Sequence, residues 1–360
     1  MHQSTQVFNV WILGATGRIG RAVAARLAAQ GVALTLVGRA REQLEAVRAG
    51  LGKNGEVKIV VAETTKRIAE EIALARPSVV INTIGKYAET TVPIARACMY
   101  GGHYVDLAID LPTVARLLDL HVEAMEAGST LVTGAGFGVL ATEAIVLKLC
   151  RGQPVPTHVR VDALASVAIE AGVMGAAFAA TTVDVITTGG RRYENGRLIK
   201  TRLGSDPQTI TLPDGQIVKS ASVPSGELLA AQRASRAPSV SVTSALAPTG
   251  LVVRALLPVI GALLSIPVLQ RFAVRQMARA PLKAATRPRQ HSWGHAIVTW
   301  PDGTSREGWL RADDGMDYTA DVLAAVVVGL ADGRGRPGAN TPAAAFGSEL
   351  ATAAGGTFIL

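Results

Sequence analysis

The chain predicts an α/β fold, with a doubly wound parallel sheet followed by a second α+β domain built on a mixed sheet. Three observations predict it. Short apolar strands without polar alternation recur through residues 1–150, separated by helical patterns, as in a parallel sheet covered on both faces. A Gly-x-x-Gly-x-x-Gly turn joins the first strand to the first helix. After Arg151 the texture changes at a Gly- and Pro-containing linker, residues 152–156, and the segments beyond it become more polar and hairpin-like.

The first strand spans residues 10–13 and runs through the glycine turn into an Ala-rich helix that Gly31 stops. Further strands are expected at 33–37, 57–62, 78–84, 104–108 and 130–133. Helices are expected over 91–100, over 112–127, and from the Gly-rich loop at 134–138 to Cys150. Right-handed crossovers then give a Rossmann arrangement for residues 1–150. The second domain, 151–317, should hold a strand at 158–165 and a Gly/Ala-rich helix over 173–188. A turn at Glu194, Asn195 and Gly196 and strand pieces at 209–212 and 217–219 follow, then a β-hairpin over 296–310 turning at Asp302 and Gly303. The segment 318–360 opens with a helix to residue 331 and is expected to return to the first domain.

At 360 residues there is room for two domains with substantial cores. With 49% hydrophobic and only 18% charged residues, extended disorder is excluded. A net charge of +8 favours anionic ligands: a phosphorylated cofactor, an anionic or acyl substrate, or a membrane surface. No dense Lys/Arg run accompanies it, so no nucleic-acid partner is expected. Two cysteines, Cys98 and Cys150, exclude a disulfide framework and read as packed thiols. No leader pattern precedes the first strand, which points to the cytoplasm. Residues 255–270 carry no charge but are interrupted by Pro258 and Pro267, too short a run to span a bilayer. A helical hairpin is expected there, with interfacial membrane contact, helped by Arg254, Arg271 and Arg275, as the lesser option.

The glycine turn carries the first chemistry. In Gly14-Ala15-Thr16-Gly17-Arg18-Ile19-Gly20, Gly14 permits the tight turn, Gly17 lets the backbone approach a pyrophosphate, and Gly20 lets the helix sit close to the strands. The helix N-terminus offers free N–H groups and positive dipole. The second strand ends at Gly38 and Arg39, where an acid would bind a ribose 2′-hydroxyl. Arg39 instead suits a 2′-phosphate, and Arg18 is expected to reinforce it, so NADP(H) is the predicted cofactor.

The run from Val79 through Asn82, Thr83, Ile84 and Gly85 to Lys86 and Tyr87 carries a resemblance, with Pro93, Cys98, Gly101, Gly102 and Tyr104–Leu107. So do Gly134–Phe137, Gly189 and Gly190, Tyr193–Arg197, Tyr318–Ala320, and Pro337 to Gly347. Together they resemble the saccharopine dehydrogenase-like superfamily, which includes enoyl reductases that act in trans. That resemblance implies a Rossmann domain joined to a mixed α+β domain, and reduction or formation of C=N or C=C bonds with a nicotinamide cofactor. One departure stands out: many relatives carry Gly-Phe-Asp-x-x-Pro-Ser-Asp where this chain has Gly136-Phe137-Gly138-Val139-Leu140-Ala141-Thr142-Glu143.

Ligands of open α/β sheets bind beyond the carboxyl ends of the strands. There Thr83, Ile84 and Gly85 should run along the nicotinamide ribose, with Asp106 and Phe137 on the neighbouring loops. Tyr87 is either a proton donor assisted by Lys86 or a ring packed over the cofactor. Asp106 is either a rim residue of the cofactor site or a loop cap, and Glu143 is expected to stabilise the first turn of its own helix. His291 and His295 fall on a strand, which gives no metal site. The expected activity is NADPH-dependent hydride transfer to a C=N, C=C or C=O group of a small organic or acyl substrate. The alternatives are an NADP(H)-binding sensor without turnover and a membrane-associated lipid enoyl reductase. The hairpin at 296–310 offers an edge through which two copies could form a homodimer.

Overall fold

The computed structural model describes residues 8–52 and 55–360. The first seven residues, where the sequence predicts no leader, lie outside it. The first sheet begins with β1 (Asn9–Leu13), β2 (Ala33–Gly38), β3 (Val57–Val61), β4 (Val79–Asn82), β5 (His103–Asp106) and β6 (Thr130–Val132). Between them run α1 (Arg18–Ala29), α2 (Arg41–Gly50), α3 (Thr65–Ala75), α4 (Tyr87–Met99), α5 (Leu111–Leu118) and α6 (His121–Glu126). The helix α7 (Phe137–Cys150) follows β6. Strand order is β6-β5-β4-β1-β2-β3, all parallel, so the order reverses between β1 and β4. That reversal opens the crevice in which such sheets bind ligands. Val10, Ile12, Val79, Val80 and Ile81 are fully buried, the signature of a sheet covered on both faces.

The second sheet is mixed. Its centre is β7 (His158–Leu164), and a short β8 (Gly172–Val173) and α8 (Ala176–Thr188) come next. Then follow β9 (Gly190–Glu194), β10 (Arg197–Thr201), β11 (Gln208–Thr211), β12 (Ile217–Ser222), α9 (Glu227–Ser235) and β13 (Ser239–Ser244). Two helices, α10 (Leu251–Leu264) and α11 (Pro267–Ala278), lead to β14 (Pro281–Leu282), β15 (Ser292–Thr299) and β16 (Ser305–Ala312). The strand β13 runs parallel to β7, while β15 runs antiparallel to it.

The last segment visits both sheets. Helix α12 (Gly315–Ala331) packs along α1, and β17 (Gly338–Asn340) adds a seventh parallel strand beside β6. After α13 (Pro342–Phe346) and α14 (Leu350–Ala353), the strand β18 (Thr357–Ile359) pairs with Trp309–Arg311 of β16. The hairpin edge that the sequence offers to a second copy is taken there by the chain's own end. Helix α7 sits between the sheets, with ten of its fourteen residues buried. Its packing belongs to both domains, and one hydrophobic core runs from Val10 and Leu36 through Leu140 and Ile145 to Val161 and Ala296.

Three local expectations change. The helix expected over 112–127 breaks at Asp119 and Leu120 into α5 and α6. The helix expected from 173 begins at Ala176, because Gly175 sits at φ +83° and Gly172–Val173 pair with Pro281–Leu282 instead. The strand expected to reach 108 stops at Asp106, whose side chain accepts the Ala108 N–H and turns the backbone.

Candidate functional site

The glycine turn is built as a backbone cradle. Gly14 adopts φ +76°, and both its N–H and that of Ala15 donate to the Val37 carbonyl at the end of β2. The Gly17 N–H donates to the Gly14 carbonyl at 2.9 Å, closing the turn. A Cβ on Gly20 would lie 2.3 Å from the Gly14 oxygen, so only glycine lets α1 approach this closely. Gly17, by contrast, is exposed at the N-cap of α1, where a Cβ would meet only the Gly14 oxygen at 3.3 Å. Ala15 and Ile19 bury their side chains in the core, leaving their backbone to the site, and Thr16 is half-buried beside them. No side chain caps the start of α1 and no acid lies in its first turn, so the N-terminal N–H groups and dipole are available to an anion. These features fit a dinucleotide pyrophosphate.

Arg39 lies exposed just past β2, beyond the cradle, and among the described residues it forms no ion pair. Arg18 departs from its expected role beside it. Its guanidinium donates to the Ala168 carbonyl at 2.6 Å and pairs with Glu170 at 3.2 Å and Asp314 at 3.5 Å. Those partners belong to the loop after β7 and to the N-cap of α12, so Arg18 ties α1 to the second domain.

Across the crevice, the Thr83 hydroxyl donates to the Leu13 carbonyl at 2.8 Å, stitching the end of β4 to the end of β1. Ile84 is half-buried, and Gly85 and Lys86 follow at φ +74° and +47°, with Lys86 exposed at the N-cap of α4. Tyr87 packs, as Leu229 does, against the buried cluster of Ala108, Val114 and Leu118. Burial, with smaller contributions from Asp106 and Asp110, raises its phenol far above the ordinary value. That environment supports a packed ring more than a proton donor.

Asp106 lies beneath the site rather than on its rim. Its fully buried carboxylate accepts from Thr91, Tyr104, the Ala108 N–H, Thr133 and the Gly134 N–H, at 2.7–3.3 Å. Burial pushes it up, and those donors pull it back toward the charged form. Asn82 extends the network, donating to Thr90 and Tyr104 and accepting the Ile84 N–H. The loops after β4, β5 and β6 therefore share one buried polar anchor. Phe137 also turns inward: its ring is 5% exposed and lies edge-on to Tyr318, and its N–H donates to Thr319.

Glu143 does not serve its own helix. Its buried carboxylate accepts the Thr341 hydroxyl and the Ala343 and Ala344 N–H groups, capping α13 across the fold. Burial nonetheless pushes it up to about 7. His295 lies on β15 between Asp162 at 2.7 Å and Glu307 at 2.9 Å, stacked on Trp309.

Sequence reasoning missed Glu227, at the start of α9. It is 6% exposed, burial raises its carboxyl, and among the described residues Oε2 has no hydrogen-bond partner. Its Oε1 lies 2.1 Å from where a Cβ on Gly138 would stand, so this carboxyl fills the place of a side chain at 138. The loop beside it joins the first domain through a bridge between Asp110 and Ser225. The one signal in the sequence was the missing side chain at 138.

Comparison with known proteins agrees with this geometry. Residues 10–132 match the model of the saccharopine dehydrogenase NADP-binding domain. The trans-acting enoyl reductase of Mycobacterium tuberculosis (strain H37Rv) is 31% identical over 156 residues, which is 42% of this chain and 37% of that protein. The trans-acting enoyl reductase of Mycobacterium leprae (strain TN) is likewise 31% identical over 156 residues. The match thus spans 37% of the length of these curated relatives. Apo saccharopine dehydrogenase (L-Glu forming) from Saccharomyces cerevisiae covers 96% of both chains with a TM-score of 0.60 at 13% identity, which shows a shared fold.

Proposed function

We propose, from the match of residues 10–132 to the saccharopine dehydrogenase NADP-binding domain, an NADPH-dependent oxidoreductase acting on a C=N, C=C or C=O group of a small organic or acyl substrate. The observation that carries the reading is the glycine cradle at the uncapped start of α1, with an Arg39 that forms no ion pair among the described residues and no acid at the end of β2. NADPH, when bound, supplies hydride from the nicotinamide to the electron-poor end of the double bond. The α1 N-terminus would hold the pyrophosphate, Arg39 would take the 2′-phosphate, and the backbone of Thr83–Gly85 would face the nicotinamide ribose. Tyr87 forms an apolar wall that excludes water, and Lys86 offers positive charge at the mouth. Glu227 is the proton source in this reading: burial raises its carboxyl, and among the described residues its Oε2 has no hydrogen-bond partner to satisfy it.

Fluorescence titration with NADPH and NADH tests the cofactor. Arg39→Ala should weaken NADPH about 10–100-fold, the loss of charge-assisted hydrogen bonds, and leave NADH unchanged. A preference for NADH in the wild type defeats the reading. Glu227→Gln should leave NADPH binding intact, lower turnover and remove an acid from the pH–rate profile. A second reading, an NADP(H)-binding regulator without turnover, is favoured by the lack of a side chain at Gly138. NADPH oxidation with any member of an imine, enoyl and carbonyl panel excludes it.

A further inference from the structure

The α10–α11 hairpin is apolar and uncovered. Only Leu257 and Gly261 of α10 are buried, and no residue of α11 is. Between Leu251 and Phe272 eleven large apolar side chains are more than a third exposed, among them Val252, Val259, Val268 and Phe272. A surface of that kind marks a docking face in a folded protein. Its charge is one-sided as well: residues 228–301 contain nine Arg and Lys and no Asp or Glu. Arg271, Arg275, Arg279 and Lys283 are exposed along it, and among the described residues none of them forms an ion pair.

We propose that this hairpin is a membrane-docking element that seats the protein on an anionic lipid surface. Apolar side chains beside basic ones are what an interfacial helix needs, with the former entering the acyl boundary and the latter meeting phosphate headgroups. The hairpin lies on the surface and does not cross. No single helix among the described residues is long and apolar enough to span, and α10 and α11 bend by 116° at their junction. A second copy of the chain fits poorly, because an isologous contact would set the same cations face to face with no acid between them. The hairpin rests on α8, whose Asp184 feels the carboxylates of Asp110 and Glu89 beside the crevice. A seated hairpin would thus hold the crevice near the lipid.

The test uses the whole chain, sedimented with extruded phosphatidylcholine vesicles with and without phosphatidylglycerol. Binding is expected to the anionic vesicles at low salt, and to fall at high salt. The paired variants V268S/F272S and R271E/R275E change exposed residues and should each weaken partition about tenfold or more while leaving NADPH affinity unchanged. Failure to sediment with anionic vesicles at low salt overturns the proposal, as does binding that both variant pairs leave intact. A dimer dissociated by V268S/F272S, in a protein that ignores vesicles, assigns the face to self-association instead. NADPH titration without vesicles decides the oxidoreductase reading separately.

Discussion

Replacing Gly20 by alanine should damage both the fold and the cofactor site, while the same change at Gly17 should damage only the site. The added Cβ at position 20 would stand 2.3 Å from the Gly14 oxygen and 2.8 Å from the Ala15 Cα, where real Cβ contacts stay beyond 3.0 Å. Something must move by at least about 0.7 Å, and every obstructing atom is backbone of the cradle. Helix α1 cannot yield easily, since Val23, Ala24 and Leu27 are fully buried. The turn is held at its other end by the Gly14 and Ala15 N–H groups, which donate to the Val37 carbonyl. Overpacking of this kind costs about 1–3 kcal/mol, and the better helix propensity of alanine returns about 1. The expected net is a loss of up to about 2 kcal/mol of stability. Displaced N–H groups forfeit one or two charge-assisted hydrogen bonds, so NADPH affinity should fall at least about tenfold. At Gly17, φ is −75° and the contact is 3.3 Å, so Gly17→Ala should cost less than about 1 kcal/mol while its methyl intrudes on the ligand side. Urea unfolding and NADPH fluorescence titration of both variants read the two effects apart. A Gly20→Ala protein that unfolds and binds as the wild type does would refute the close-approach argument.

Burial raises Glu143 from 4.5 to about 7, so between those values the folded chain holds a proton that the unfolded chain has lost. Its stabilising contribution is therefore present below about pH 4.5 and is lost as pH rises through 7, about 3 kcal/mol in all. Glu143→Gln should flatten that part of the stability curve, and urea unfolding at pH 5 and pH 7.5 is the check. Asp106→Asn turns one acceptor oxygen into a donor facing groups that already donate. It should cost about 3 kcal/mol and speed amide exchange at Ala108 and Gly134, and unchanged exchange there would count against the anchor. Arg18→Ala removes a partly exposed clamp, so the stability loss should stay below about 1 kcal/mol. Proteolysis between the domains should quicken, and the preference for NADPH over NADH should remain.

The cofactor half was legible because its constraints are local. A left-handed Gly14 and a close approach at Gly20 both fall within the seven-residue turn that needs them. Partners distant in sequence were not. Nothing around Arg18 says that Asp314 waits for it, and nothing in Glu143 points to Ala343 two hundred residues away. The strand β17 is three residues of Gly, Ala and Asn with no β-propensity of their own, and the exposed edge of β6 makes them a strand. Asp106 stayed open between rim residue and loop cap for a related reason: a carboxylate at a strand end has the same sequence pattern whether it faces a ligand or gathers the neighbouring loops.

The same contrast bears on the loop that departs from its relatives. Read alone, glycine at 138 is a lost carboxylate at the start of α7. In the fold, the Glu227 Oε1 occupies the space its side chain would need, and that oxygen comes from the second domain. Small and acidic residues at these two positions are then alternatives, since carboxyls at both would crowd one buried pocket and repel. The chemistry at the start of α7 depends on how the domains are joined, and Arg18, Asp110 and α7 itself are the groups that join them. A carboxyl carried on α9 is brought to the first domain only in the docked arrangement. If Glu227 serves as the proposed proton source, the substrate half depends on contacts between the two sheets' domains, which the motif around Gly138 alone does not encode.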